Sequence, residues 1–311
     1  MSHTFALTDT RIPLEEKVHL VSVDLNGTLI NASAPEALAR IAGGDAIEVA
    51  RAVREHHNGS AGIVSAINYG ASQIRGLSLY DFVRYWAEGS DAMPGLAGFL
   101  EGMHERGTPV VVNTTAFREV ASVYKHQLGP HLVRGVIGNS LQFANGNEVL
   151  TPYAVDMLIA AYFGDSVKFG NGEVLTDYSD IAHCFPVNGT DGRSDLIDCL
   201  KGIKATGSVD YEITTEVEKF DALGKYLKSN FPWIDLSRVA HVGDALSEYP
   251  AMSYMLEEWG GVVVGFNATE GLYRSLAGTA AKPGVKGHIL VSSPNFGPHR
   301  PDLRDLLEVF A

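Results

Sequence analysis

Two acidic residues of this chain directly follow apolar runs, where a carboxylate is unexpected. Residues 18–23 form a largely apolar run that ends at Asp24, and residues 238–243 form a second one that ends at Asp244. A carboxylate buried without a partner is costly, so each acid requires a cation, a hydrogen-bond donor or open space. Either pattern alone has a simpler interpretation, because Asp is common in turns and as a helix cap. The chemistry therefore depends on whether the fold brings the two acids together.

Alternating apolar runs and amphipathic segments predict the elements that position these acids. The alternation is typical of an α/β fold with a Rossmann-like, mostly parallel sheet. The carboxyl ends of parallel strands lie side by side, and ligands bind there. We therefore expect Asp24, Thr114 and Asp244, each at the end of a predicted strand, to meet at one edge of the sheet. The predicted strands are residues 18–23, 108–115, 134–141, 238–243 and 260–266, and the predicted helices around them are residues 94–107, 117–128, 216–231 and 245–259.

A helical segment interrupts this alternation after the first strand. Apolar residues recur there at helical spacing, and Asp45 is placed to cap the second helix. Ser78 and Asp81 resemble a capping box at the start of a later helix. We therefore predict a helical cap domain inserted into an α/β core. The predicted core is residues 1–30 and 91–311, and the predicted cap is residues 31–90.

The composition argues against several classes of partner. The chain has 311 residues and a formal net charge of −13. Its Lys and Arg residues form no cluster of the kind that binds a phosphate backbone, which argues against nucleic acid and anionic membranes. The sequence has no signal-peptide pattern and no apolar stretch of about 18 residues, so we expect a cytoplasmic protein. Cys184 and Cys199 are predicted to be reduced packing residues.

Carboxylates that crowd at the edge of a sheet need a positive partner. Mg²⁺ takes one or two carboxylates together with water and phosphate oxygens. A lysine from a neighbouring helix could add a second positive charge to the same crevice. Lys219 and Lys225 compete for this role, and we favour Lys219 because it opens its helix. Thr114 and Thr115 compete in the same way for the position at the end of the second strand.

In order and in context, these residues resemble the four motifs of the haloacid dehalogenase superfamily of phosphohydrolases. The motifs are VDLNGT with Asp24, VVNTT with Thr114, EKFDAL with Lys219, and VGDALSE with Asp244 and Glu248. The resemblance covers almost the whole chain and includes a helical cap between the first two motifs, as in the phosphoserine-phosphatase-like branch. One such motif is a weak signal, but four in order at strand or helix ends are a strong one.

The resemblance implies a nucleophile and a metal site. Asp24 would attack phosphorus to form an aspartyl-phosphate. Mg²⁺ would bind the Asp24 carboxylate, the backbone carbonyl of Asn26, Asp244 and a phosphate oxygen. Glu248 stands where the family has the second acid of its last motif. Since Glu is one methylene longer than Asp, we expect Glu248 to order metal-bound water or the lysine rather than to touch the metal directly.

The resemblance also implies a phosphate-binding set. Lys219 and Thr114, or its neighbour Thr115, would hold the remaining phosphate oxygens. Gly27 would let the backbone approach the phosphate closely, because it has no Cβ.

Asn26 departs from the family pattern at the position that matters most for proton transfer. Phosphatases of the superfamily use an aspartate there as general acid and base, and an amide cannot carry that proton. The loss of proton transfer typically costs about 10² to 10⁴ in rate. We expect either substrates whose leaving group needs little protonation, such as acyl or enol phosphates, or an acid recruited from the cap. The alternative is a phosphate-binding or regulatory protein that has lost turnover.

The cap residues argue against phosphoserine as the substrate. The acid that binds the substrate amine in phosphoserine phosphatases falls on Ser33, and the arginine that binds the carboxylate falls on Gly70. We therefore expect a Mg²⁺-dependent phosphatase or phosphotransferase for another small phosphorylated metabolite. The residues considered for a different substrate pocket are Glu36, Arg40, Asn68, Tyr69 and Arg75.

Residues 150–208 are predicted to form an insertion in the core. The segment is longer than a direct connection needs, and structureless loops of that length are rare in compact domains. Helical patterns are predicted at residues 151–163 and 194–203. We expect the insertion either to cover the cleft or to form a homodimer contact.

The histidines and one glycosylation-like motif are predicted to be unrelated to catalysis. His241 should be a hydrogen-bonded core residue, because it lies inside a predicted strand. The tripeptide at residues 188–190 matches a glycosylation acceptor, which a cytoplasmic chain would not use. Surface or packing roles are predicted for His56, His57 and His104.

Overall fold

The computed structural model describes residues 4–7, 18–57, 63–89, 91–164, 192–295 and 300–310. Nine strands of this described part form one sheet, in the order β1-β9-β8-β7-β2-β3-β4, with β5 and β6 both paired to β4. The six strands from β9 to β4 are parallel, and β1, β5 and β6 are antiparallel to their neighbours. The predicted α/β fold with a mostly parallel sheet is confirmed. The strands are β1 (Thr4–Ala6), β2 (Leu20–Val23), β3 (Val110–Phe117), β4 (Val133–Asn145), β5 (Glu148–Val149), β6 (Lys204–Asp210), β7 (Val239–Gly243), β8 (Val262–Phe266) and β9 (His288–Ser292).

Helices cover both faces of the sheet, and this explains why its central strands are largely apolar and buried along their whole length. A parallel strand buried on both faces loses the alternation of apolar and polar residues. None of the described helices is long and apolar enough to cross a bilayer. The helices are α1 (Ala34–Ile41), α2 (Ala46–His57), α3 (Ile63–Gln73), α4 (Leu79–Ala87), α5 (Leu96–Glu105), α6 (Arg118–Leu128), α7 (Pro152–Phe163), α8 (Gly192–Gly202), α9 (Glu216–Asn230), α10 (Tyr249–Tyr254), α11 (Glu270–Ala280) and α12 (Asp305–Val309).

The register of the central strands places their carboxyl ends together. In β2, Val23 pairs with Val112 of β3 on one side and with Val242 of β7 on the other. The residue after Val23 is Asp24, and its backbone N–H donates to the Val242 carbonyl at 2.9 Å. The ends of β2, β3 and β7 therefore form one edge, where the first two motifs and the last one meet.

Helices α1 to α4, residues 34–87, lie between β2 and α5 and are called the helical insert below. Their predicted caps are present. Asp45 Oδ1 accepts the backbone N–H of Glu48 at 3.0 Å, and Ser78 Oγ accepts that of Asp81 at 3.0 Å. Side chains of α4, including the fully buried Phe82, belong to the same apolar cluster as the core of the sheet. The insert is thus anchored by apolar packing as well as by its chain connections.

The segment predicted as an insertion extends the sheet. After α7 and α8, β6 pairs with β4, and backbone bonds join it to the helical insert, with Gly76 donating to the Ala205 carbonyl at 2.8 Å. Cys199 is buried. Residues 165–191, which include Cys184 and the tripeptide at 188–190, lie outside the described residues.

The single helix predicted over residues 245–259 is wrong in detail. A short 3-10 turn, Leu246–Glu248, precedes α10, and a π-helical turn, Met255–Trp259, follows it. Pro250 at the start of α10 lacks the N–H that would continue the hydrogen bonding of the preceding turn.

Candidate active site

A buried ion-pair network lies at the carboxyl end of β2. The Lys219 ammonium donates to Asp24 Oδ1 at 2.7 Å and to the two Glu248 carboxylate oxygens at 2.6 and 2.7 Å. All three side chains are buried. The network therefore joins the first, third and fourth motifs in one set of contacts.

Helix α9 fixes the position of Lys219. Thr215 Oγ1 caps the helix by accepting the backbone N–H of Glu218 at 3.2 Å, and Lys219 follows in the first turn. Asn113 Nδ2 donates to the Lys219 carbonyl at 3.0 Å, which ties this turn to the end of β3. Lys225, the alternative considered from the sequence, is exposed. Burial alone would lower the pKa of Lys219, but the Asp24 and Glu248 carboxylates outweigh that effect and raise the pKa above its usual value.

Glu248 is held by groups on two elements, Lys219 of α9 and His241 of β7. His241 of β7 places its Nε2 atom 2.9 Å from Glu248 Oε2, and its Nδ1 atom lies 3.0 Å from Ser22 Oγ of β2. Burial would raise the pKa of Glu248, but the charge of Lys219 and the hydrogen bond from His241 lower it to about 2. The structure thus places the Glu248 carboxylate against Lys219, one of the two partners considered for it from the sequence. His241 is the hydrogen-bonded core histidine that was predicted, and it also supports the site.

Asp24 and Asp244 carry more negative charge than their surroundings neutralise. Burial raises the pKa of Asp24, although Lys219 opposes the rise. Burial, together with the neighbouring Asp24 and Glu248 carboxylates, raises the pKa of Asp244 well above its usual value. Three carboxylates thus share one ammonium, and a hard divalent cation is the partner such a donor set favours. Among the described residues no three His, Cys, Asp or Glu side chains could hold a metal by themselves, so a backbone carbonyl and the substrate would have to complete its ligands.

The turn after Asp24 requires glycine at residue 27. Gly27 has a φ of +73°, and a Cβ placed there would lie 2.1 Å from Asp244 Oδ2. Asn267, after β8, donates from Nδ2 to the Gly27 carbonyl at 2.9 Å. The turn and the Asp244 carboxylate are therefore packed directly against each other.

Asn26 has a fixed amide orientation. Its Oδ1 accepts the backbone N–H of Ala34, the first residue of α1, at 2.9 Å. Because that oxygen is engaged by a donor, the NH₂ group is the part of the amide left to serve a ligand. Asn26 also lines the cavity beside Asp24. The side chain can thus donate a hydrogen bond there, but it cannot accept a proton.

Two neighbouring threonines differ in where they face. Thr115 lines the cavity beside Asp24, and its hydroxyl donates to Glu216 Oε1 at 3.3 Å. Thr114 is buried, and its Oγ1 accepts the backbone N–H of Ala116 at 3.1 Å. Thr115, the second choice from the sequence, is therefore the threonine of this pair that lines the cavity.

The cavity over Asp24 lies between the edge of the sheet and the helical insert, and its volume is about 30 Å³. Side chains that were considered as a pocket lining do not contribute to it. Glu36 and Arg40 instead form an ion pair of 2.9 Å with each other at the surface, and Arg75 is exposed. The lining residues are Asp24, Asn26, Ser33, Pro35, Val53, Ile63, Ala66, Ile67, Thr115, Ala116, Asp244, Ala245, Ser247 and Glu248.

Sequence reasoning missed some polar residues at this edge. Asn267 supports the Gly27 turn, and Asn113 supports Lys219. Asn267 directly follows a predicted strand, so the positional argument that selected Asp24 could have found it, whereas Asn113 lies inside the predicted strand 108–115.

Comparisons with known proteins agree with this architecture. No protein-family model and no curated protein matches the chain. It is similar to two solved structures described as a phospho-aspartyl intermediate analogue of phosphoserine phosphatase and a substrate-bound phosphoserine phosphatase complex. Each has a TM-score of 0.58 and 19% identity, and the alignments cover 94% of this chain and 98% and 99% of the others. It is also similar to a HAD family hydrolase from Salmonella enterica serovar Typhi, with a TM-score of 0.56, 10% identity and coverage of 96% and 73%. The chain therefore shares the fold of these solved structures, as the resemblance of its four motifs predicts.

Proposed function

We propose that the chain is a Mg²⁺-dependent phosphatase or phosphotransferase for a small phosphorylated metabolite, with Asp24 as nucleophile. The observation that carries the proposal is the buried contact of 2.7 Å between Lys219 and Asp24, at the strand edge that also holds Asp244. Such a cluster is expensive to bury, and a phosphate with its cation is a ligand that would use it. A small-molecule substrate and a cytoplasmic location are part of this proposal.

The metal would be held by the Asp24 carboxylate, the Asn26 carbonyl and Asp244. When bound, Mg²⁺ neutralises charge on the transferring phosphoryl group. Lys219 and Thr115 would bind other phosphate oxygens. Glu248 would hold Lys219 in place, because its carboxylate is engaged by that ammonium and by His241.

In the proposed reaction, an Asp24 oxygen attacks phosphorus while the bond from phosphorus to the leaving oxygen breaks. Water, or another acceptor, then takes the phosphoryl group from Asp24 and restores the carboxylate. Asn26 can donate a hydrogen bond to the leaving oxygen, but it supplies no proton. Leaving groups of low basicity, such as those of acyl and enol phosphates, need none.

Phosphoserine fits this site poorly. Ser33 is neutral, and Gly70 leaves no room for a longer side chain, since a Cβ there would lie 2.7 Å from Pro35 Cβ. An ammonium and a carboxylate on the substrate would therefore lack charged partners at these two positions.

A phosphate-release screen of small metabolites with Mg²⁺, run on the parent chain and on Asp24→Asn, tests the proposal. We expect activity in the parent and none in the variant. No release from either protein, with phosphate or beryllofluoride still bound, would instead support the alternative of a phosphate-binding regulator, for which Asn26 is the motivating observation. Mass spectrometry should accompany the screen, because deamidation at Asn26-Gly27 would create an aspartate at residue 26.

A further inference from the structure

We infer, resting on the proposed function, that the site selects phosphate compounds whose organic part is uncharged and largely apolar, with one polar group that hydrogen-bonds to Ser33. The inference comes from the side of the cavity that faces away from the carboxylates. That side is built by the helical insert and would surround whatever is attached to the phosphate.

The insert contributes an apolar wall. Every charged residue among the described lining belongs to the Asp24, Asp244 and Glu248 cluster at the phosphate end. The wall itself is made by Pro35, Val53, Ile63, Ala66 and Ile67.

Of the Glu and Arg residues of α1 and α2, five form ion pairs along their own helices, and the sixth, Arg54, is exposed. Arg40 pairs with Glu36, and the guanidinium of Arg51 lies 2.7 Å from both Glu48 and Glu55, all on exposed surface. They neutralise one another along their own helices, at positions outside the cavity lining. A charged substrate body would consequently be desolvated without a partner on this wall, which is unfavourable.

Ser33 supplies a polar feature on the same side. Its Oγ is buried and has no hydrogen-bond partner among the described residues. Ser33 is the N-cap residue of α1, yet its side chain makes no capping bond. A buried hydroxyl without a partner is destabilising, so a hydroxyl or carbonyl group on the substrate would satisfy it.

Calorimetric binding of matched ligands to the full chain with Mg²⁺ tests the inference without requiring turnover. Propyl phosphate and phosphoethanolamine have nearly the same shape and differ by an ammonium group, and phosphoglycolate adds a carboxylate. We expect propyl phosphate to bind at least about tenfold more tightly than either charged ligand, or about 1.4 kcal/mol. Equal or tighter binding of phosphoethanolamine or phosphoglycolate would overturn the inference.

A pair of variants tests whether the selectivity against charged ligands arises at the cavity wall. Ser33→Asp adds a carboxylate at the cavity, and aspartate remains a good N-cap residue, so the insert should stay folded. Ile47→Asp adds the same charge on α2 at a side chain that is 78% exposed. We expect Ser33→Asp, but not Ile47→Asp, to strengthen phosphoethanolamine binding by at least about tenfold relative to propyl phosphate.

The outcomes separate this inference from the proposed function. An equal response of the two variants, or binding of inorganic phosphate without binding of propyl phosphate, would contradict the selectivity alone. Failure to bind even inorganic phosphate would contradict the phosphate site itself and the selectivity that depends on it. Phosphate release by the parent, together with selective binding of a charged ligand, would leave the function standing and overturn the inference.

Discussion

Replacing Asn26 by aspartate should give the site the proton transfer that it lacks. In the structure, Asn26 Oδ1 accepts the Ala34 N–H at 2.9 Å, and the NH₂ group is left for the ligand. Aspartate can keep that bond with one oxygen and present the other in place of the NH₂ group. Neighbouring carboxylates of Asp24 and Asp244 would favour its protonated form, which is the form that a general acid needs.

The size of the effect follows from the chemistry of the leaving group. General acid–base catalysis typically contributes about 10² to 10⁴ in rate. At 1.36 kcal/mol for each factor of ten, this is about 3–5 kcal/mol of transition-state stabilisation. An alkyl phosphate should receive most of this gain, because its alkoxide must be protonated as it leaves. Acetyl phosphate should change little, because acetate leaves as a stable anion.

The assay is phosphate release from propyl phosphate and from acetyl phosphate by the parent and by Asn26→Asp, with Mg²⁺ present. The ratio of the two rates cancels differences in protein folding and metal loading. We expect the parent to prefer acetyl phosphate and the variant to lose most of that preference. Equal rates on both substrates in the parent, or an unchanged ratio in the variant, would refute the reasoning. Asn26→Ala serves as the control for loss of the amide without gain of an acid.

Three further substitutions test the network and the fold. Lys219→Met leaves buried carboxylates without their counter-charge. Denaturant titration without Mg²⁺ should therefore show a loss of about 3–5 kcal/mol in unfolding free energy, and a loss below about 1 kcal/mol would contradict the structure. Gly27→Ala should weaken phosphate binding measured by calorimetry, because its Cβ would meet Asp244 Oδ2. The control Gly43→Ala, at a similar φ of +71° with open space around it, should leave phosphate binding unchanged. Equal effects of the two substitutions would contradict this steric account. Burial raises the pKa of Glu119 from 4.5 to about 7, so the folded state binds its proton more tightly and the unfolding free energy should fall as the pH rises through that interval. Urea titrations at several pH values should find this fall smaller by about 3 kcal/mol in Glu119→Gln, and an unchanged pH dependence would refute the assignment.

The parallel core could be predicted from sequence because buried central strands leave a clear apolar pattern. Strands β2, β3 and β7 each appear as such a run followed by a polar residue. The edge strand β1 could not be found in this way. Strand β1 spans only three residues and pairs with β9, which lies near the other end of the chain. The formation of β1 therefore depends on a long-range contact and not on a local sequence pattern.

The types and sequence positions of the site residues could be predicted, but the contacts between them could not. The pairing of β3 with β4 shifts register between Asn113 and Phe117, so the alternation of faces cannot be counted through this stretch. The choice between Thr114 and Thr115 therefore could not be made from the sequence pattern. The Ala34 bond that orients Asn26 joins a turn to a helix start, and no local pattern in the sequence signals it.

The most direct test of the central claim is to identify the residue that carries phosphate during turnover. The parent chain would be mixed with Mg²⁺ and acetyl phosphate, quenched in acid and analysed by peptide mass spectrometry. Phosphate should be found on Asp24, should be removed by hydroxylamine as an acyl phosphate, and should be absent from Asp24→Asn. Phosphate release without label on Asp24, or the same label in the variant, would contradict the account.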